Sequence, residues 1–176
     1  PTTEAGTPTT NPAARRVVYL DNSNKVVVEV SYIRETTPAS GTSYWTTYYG
    51  KWRTNNAVSL TAWSNIVVAH NTLAINTSGQ PQGPEIYIDG TIQTLTEVSV
   101  PPVDSVAVPP NGAILIGQAT QVGGGTTTYN WNGRMDEVVL WPKQLDSADA
   151  SYLAHAPAPF VIEDHPNFSA CAMWFR

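Results

Sequence analysis

The chain is poor in charge. Lys, Arg, Asp and Glu make up 13% of its 176 residues, about half the usual share of a globular domain. A chain so short of Lys, Glu and Arg does not read as a helical bundle or a coiled coil. Its nine Lys and Arg residues are dispersed, with no cluster beyond Arg15 and Arg16, and the net charge is −5. Nucleic-acid binding needs a basic stripe, so that class is set aside. Cysteine occurs once, at Cys171, which excludes an internal disulfide and any multi-cysteine metal site. Its apolar surroundings mark Cys171 as a small buried hydrophobe rather than a nucleophile. No apolar run approaches the length of a membrane span. The first residue is Pro1 and no leader-like segment follows it, so the expectation is a processed chain or a piece of a longer one. A secreted protein without disulfides suits a bacterium or a virion better than an animal extracellular domain. An extracellular or virion-surface location is therefore expected.

What is present points to strands. Hydrophobic residues reach 41%, with six Trp and eight Tyr, so the chain as a whole is not disordered. Fourteen Pro and twelve Gly spread along it suggest many turns between short strands. The 21 Thr help to replace the missing charge. The length fits one domain with a tail. Residues 1–16 hold three Pro, five Thr and no hydrophobic period, and read as an extended arm or linker. Residues 17–160 read as one sandwich domain, and 161–176 as a C-terminal strand segment.

Strand signals run through the domain. Val17–Leu20, a turn at Asp21–Asn24, and Lys25–Ile33 read as a hairpin. In its second strand Val26, Val28, Val30 and Tyr32 share one face. Further strands are expected over Ser43–Arg53, Ile66–Ala69, Glu85–Gln93, Ala113–Ile116 and Met135–Trp141, with a turn at Asp89 and Gly90. Only Asp146–Ala154 reads as helical, with Asp146 as its N-cap. Many short strands and one helix close most naturally as an all-β, two-sheet sandwich.

Three segments in order are more specific. They are Trp63-Ser64-Asn65-Ile66-Val67-Val68-Ala69, then Ile86-Tyr87-Ile88-Asp89-Gly90, then Gly133-Arg134-Met135-Asp136-Glu137-Val138-Val139-Leu140-Trp141 followed by Leu145 and the short helix. With the Ile114–Gly117 segment, the series resembles the laminin-G-like branch of the concanavalin A-like lectin/glucanase superfamily, over Val58–Leu153. The resemblance implies a jelly-roll β-sandwich. One segment departs from it. A strand of the type Phe-Ser-x-x-x-Trp-Phe belongs near the start of such domains, yet Asn167–Arg176 carries it at the end. That strand closes its own sandwich, is donated to a neighbouring subunit, or begins a second copy. Both of its faces are largely apolar, so it has to be covered.

No catalytic set emerges. The glucanase motif of the superfamily, Glu-x-Asp-x-Glu, is absent. Its nearest approach, Glu85 and Asp89, would stand about 13 Å apart at ~3.3 Å per residue, beyond the roughly 5.5–9.5 Å that glycosidases need. No Gly-x-Ser-x-Gly elbow occurs. His70, His155 and His165 are scattered and read as loop or surface residues. No metal ligands are assigned. Calcium is the common ligand of the resembled family, and Asp21, Asn22, Asn24 and Asp104 are the loop positions it would use. Asp89 and Asp136 read as structural carboxylates.

Glycan binding needs aromatic platforms beside polar groups. Tyr44, Trp45, Tyr48, Tyr49 and Trp52 form the richest stretch, and Tyr129 and Trp131 could add a rim. Strand alternation places Tyr44 and Tyr48 on one face and Trp45 and Tyr49 on the other. Two function classes follow. The first is a non-catalytic structural or adhesion subunit of an outer surface, such as a virion decoration or fibre protein or an extracellular filament. It would self-associate through residues 1–16 and 167–176, with Phe168, Trp174 and Phe175 as anchors. The second is a carbohydrate-binding, lectin-like module.

Overall fold

The computed structural model describes residues 16–37, 44–108, 135, 138–155 and 165–166 with side chains, and residues 3–5, 118–120, 128–130 and 173–175 as strand backbone. The β-branched and aromatic runs form the two longest strands. β3 (Val26–Thr36) and β4 (Tyr44–Thr54) pair antiparallel from Val27 opposite Arg53 to Thr36 opposite Tyr44. Shorter strands flank this pair end to end. β2 (Arg16–Leu20) and β9 (Val106–Ala107) lie along β3; β1 (Thr3–Ala5) and β8 (Leu95–Ser99) lie along β4. The β2–β3 turn is held by the Asp21 carboxylate, whose Oδ1 accepts the Ser23 amide at 2.8 Å and the Lys25 amide at 3.0 Å. Asn24 takes a positive φ of 59° there, a conformation its short polar side chain tolerates.

A second antiparallel sheet is built from β5 (Ile66–Ala69), β6 (Glu85–Ile88) and β7 (Thr91–Ile92). Asp89 and Gly90 both have positive φ, 51° and 74°, the pattern of a two-residue hairpin turn. The two sheets meet face to face. Val26, Val28, Val30, Tyr32 and Trp52 from the first sheet pack with Ile86, and Ile66, Val68 and Ile88 border the same core. The period of two thus separates the faces: one side of β3 is core, while Glu29 on the other pairs with Lys51 of β4 at 3.8 Å.

The far face of the second sheet is covered by α1 (Ser147–His155), where Val67 and Tyr87 pack with Leu145 and Ala150. Asp146 caps the helix, its Oδ1 accepting the Ala148 and Asp149 amides at 2.9 Å each. Gly90 permits the close approach of the helix. A Cβ there would stand 3.1 Å from Ala154 Cβ and 3.1 Å from His155 Cε1.

Two small ladders complete the described residues. β10 (Gln118–Thr120) pairs with β11 (Thr128–Asn130), and β12 (Val138–Leu140) with β13 (Met173–Phe175). The described residues are therefore mostly β, with two packed antiparallel sheets and one short helix among them. The hairpin 17–33, the strand 66–69, the turn at 89–90 and the helix fall where the sequence puts them. The strand expected over 85–93 is two strands and a turn, and within 135–141 residues Val138–Leu140 are a strand, Asp136 and Glu137 lying outside the described residues. The strand expected at 113–116, and Cys171, lie outside the described residues.

Candidate functional site

The aromatic strand divides as its alternation requires. Tyr48 borders the core and Tyr49 is exposed. Tyr44 and Trp45 are half-buried. Trp52 does not belong to a surface platform: it is 1% exposed and sits in the core. Its ring meets Tyr32 edge-on at 6.5 Å and His70 at 5.6 Å. Two glycines make the room for it, because a Cβ at Gly50 would lie 2.7 Å from Trp52 Cζ3 and one at Gly83 2.6 Å from Trp52 Nε1. Of the second aromatic group, Tyr129 enters as backbone in β11, opposite Ala119, and Trp131 lies outside the described residues. Trp174 and Phe175 pair through β13 with Val139 and Val138 of the same chain; Phe168 lies outside.

His165 corrects the expectation of surface histidines. Its side chain is fully buried, with Nε2 3.7 Å from Asp149 Oδ1. The rings of Trp141 and Tyr152 lie 5.5 and 5.2 Å from it. An aromatic box and a carboxylate from the helix layer make burial affordable. His155 instead closes the helix end, its Nδ1 2.9 Å from the Ser151 carbonyl.

His70 is neutral. Burial pushes its pKa down, opposed by its contact with the Gln82 carbonyl, to which Nε2 donates at 3.0 Å. The folded state therefore binds a proton less readily than the unfolded chain. Stability is expected to fall as pH drops below the unfolded value of about 6.5. Urea denaturation at pH 7.5 and 5.5 checks this, with a smaller pH difference expected in His70→Gln.

The carboxylates take structural roles. Asp89 Oδ1 accepts the Asn65 amide at 2.8 Å, tying the start of β5 to the β6–β7 turn. With β6 ending at Ile88, Asp89 is a turn residue and makes no strand-face pair with Glu85. Asp21 is occupied by its two amides and by Arg53, whose guanidinium lies 3.5 Å away. Burial raises the Asp21 pKa, but the Lys25 and Ser23 amides and Arg53 together outweigh that and lower it. Among the described residues no three His, Cys, Asp or Glu side chains group to hold a metal ion. Asp136 lies outside the described residues.

Two features were not singled out from the sequence. The first is the loop 55–65. Its ends are stapled to one segment: the Asn55 amide donates to the Thr94 carbonyl at 2.9 Å, Asn56 Nδ2 to Gln93 Oε1 at 3.0 Å, and Asn65 joins Asp89. Between these staples Leu60 and Trp63 are each 67% exposed. From Thr54 to Gly133 the chain has no Lys or Arg.

The second is a cleft of about 190 Å³ lined by Asn71, Ala74, Gln82, Gly83, Glu85 and Gln144. Its wall 71–82 is preset by turns. The Leu73 amide donates to Asn71 Oδ1 at 3.1 Å, and the Gln82 amide to the Ala74 carbonyl at 2.9 Å. Glu85 is oriented by Tyr87, whose hydroxyl donates to Oε2 at 2.8 Å. Burial and the Glu85 carboxylate push the Tyr87 hydroxyl up to about 12, so it stays a donor at every physiological pH. Gly83 separates the cleft from the Trp52 indole. Trp52 Nε1 is buried with no hydrogen-bond partner.

No family model, curated protein or solved structure matches the chain. Among the described residues no helix is long and apolar enough to cross a membrane.

Proposed function

We propose that the chain is a non-catalytic structural or adhesive subunit of an outer surface, virion or extracellular, built on a concanavalin A-like jelly-roll of the laminin-G type. The order of elements supports the finer fold: Trp63 precedes β5, the Asp89-Gly90 turn joins β6 to β7, and β12 precedes the helix. The observation that carries the function is the stapled loop with Leu60 and Trp63 held out to solvent. Two large apolar side chains held out on one preset loop offer a partner a surface to cover. A rigid aromatic anchor also loses little side-chain freedom on contact.

Both terminal segments pair within the chain, β1 with β4 and β13 with β12. Strand exchange between copies would keep the same ladders, so those pairings accommodate self-association without requiring it. Light scattering of the full chain at increasing concentration tests the proposal. The parent is expected to give a multiple of the monomer mass. The double variant Leu60→Ser/Trp63→Ala is expected to give the monomer mass with its Tm unchanged. A parent that stays monomeric throughout, or a variant that assembles equally well, overturns it.

A second reading, the lectin-like module, is favoured by the amide-lined cleft, whose side chains offer hydrogen bonds without any cation.

A further inference from the structure

We infer that the cleft between the 71–83 segment, Glu85 and Gln144 binds a single neutral sugar ring, and that the buried Trp52 indole registers its occupancy. The inference rests on the second reading and gives it a site.

The lining chemistry selects the ligand class. Asn71 Oδ1 accepts a backbone amide, which leaves Nδ2 as a donor. Among the described residues the Gln82 and Gln144 side chains make no hydrogen bond, so each offers a donor and an acceptor. Glu85 gives one carboxylate oxygen to Tyr87 and keeps the other for a ligand. Such a set pairs with adjacent hydroxyls, each of which both donates and accepts. The lining has no Lys or Arg, so an anionic sugar or phosphate would meet the Glu85 charge uncompensated. Its non-polar members are Ala74 and Gly83 alone, too little for the apolar side chain of a peptide; with no ring for a sugar face to stack on, the sugar is held through its hydroxyls alone and weakly, unlike an aromatic-platform glycan site. The cleft, about 190 Å³ in volume, is on the scale of one ring.

The second observation lies beneath the floor. Trp52 is buried and its N–H has no partner, a costly state for a donor. The group sits against Gly83, where a Cβ would come within 2.6 Å of Nε1. The floor between ligand and indole is one residue thick and carries no side chain. His70 couples the same two parts, its ring on Trp52 and its Nε2 on the Gln82 carbonyl. A ligand held by Gln82 therefore changes the surroundings of the indole.

The test uses the full chain labelled with ¹⁵N at its six Trp indoles, the Trp52 signal being identified by its loss in Trp52→Phe. Glucose, galactose, mannose and N-acetylglucosamine are titrated separately to tens of millimolar. At least one is expected to move the Trp52 signal saturably. Asn71→Ala/Gln144→Ala, both at exposed positions, is expected to weaken that titration roughly tenfold or more, two hydrogen bonds being lost. Three outcomes overturn the inference: no sugar moves Trp52, the double variant titrates like the parent, or calcium chloride alone produces the shift. The adhesive reading fails separately. A monomeric parent whose Trp52 responds to sugar refutes self-association and keeps the cleft; an assembling parent whose Trp52 is unmoved does the reverse.

Discussion

Trp52→Ala is expected to destabilise the chain by about 3–5 kcal/mol, the range for deleting a buried aromatic ring. A domain of this kind has roughly 5–15 kcal/mol in all, so the variant stands close to unfolding at room temperature. The size follows from the surroundings. Trp52 is the largest fully buried side chain among the described residues, and its neighbours cannot close over the gap. Gly50 and Gly83 have no side chains to move in, and Tyr32 and His70 belong to other segments. One contribution acts the other way, because removing the indole also removes an unpartnered buried N–H. That relief is worth about 1–3 kcal/mol at most and holds the loss to the lower part of the range. Urea unfolding of the full chain measures it. A loss below about 1 kcal/mol would mean that the ring does not fill the core.

Gly50→Ala attacks the same packing from the opposite side. Gly50 lies opposite Val30 in the β3–β4 ladder, on the core face. A Cβ there would enter the Trp52 ring and stand 2.9 Å from Tyr32 Cε2. Both rings are fully buried, so neither can swing away. Overpacking of this kind costs about 1–3 kcal/mol. The cost comes from the rings alone, so it should shrink in a Trp52→Phe background, and a double-mutant cycle in urea measures that coupling. Strict additivity would place the strain in the backbone instead.

Much of the fold can be read from local pattern. The alternation of Val26, Val28, Val30 and Tyr32 fixes which side of β3 is core. Asp89-Gly90 and Asp146 act through neighbours a few residues away, so their roles are visible in short windows. β8 escaped notice because it borders β4 with four of its five residues exposed, leaving no apolar face to detect. The fate of Trp52 was hidden for a different reason. Parity puts it with Tyr44 and Tyr48, but its burial depends on Gly83, far along the chain, leaving space above the ring. The cleft was illegible too, since uncharged amides at 71, 82 and 144 form no period and meet only after both sheets and the helix are packed. His165 likewise acquires its box from Trp141, Asp149 and Tyr152 only through tertiary contact.

The strand β6 has no solvent face: Ile86 enters one core and Tyr87 the other. A single inserted or deleted residue there would exchange the two and spoil both cores at once. Length changes are better tolerated in the segments that precede it. Those segments carry Leu60 and Trp63 before the strand, and the amide wall of the cleft immediately ahead of Glu85. Descendants of this chain can thus drift in what they touch while the strand that divides their cores stays locked in step.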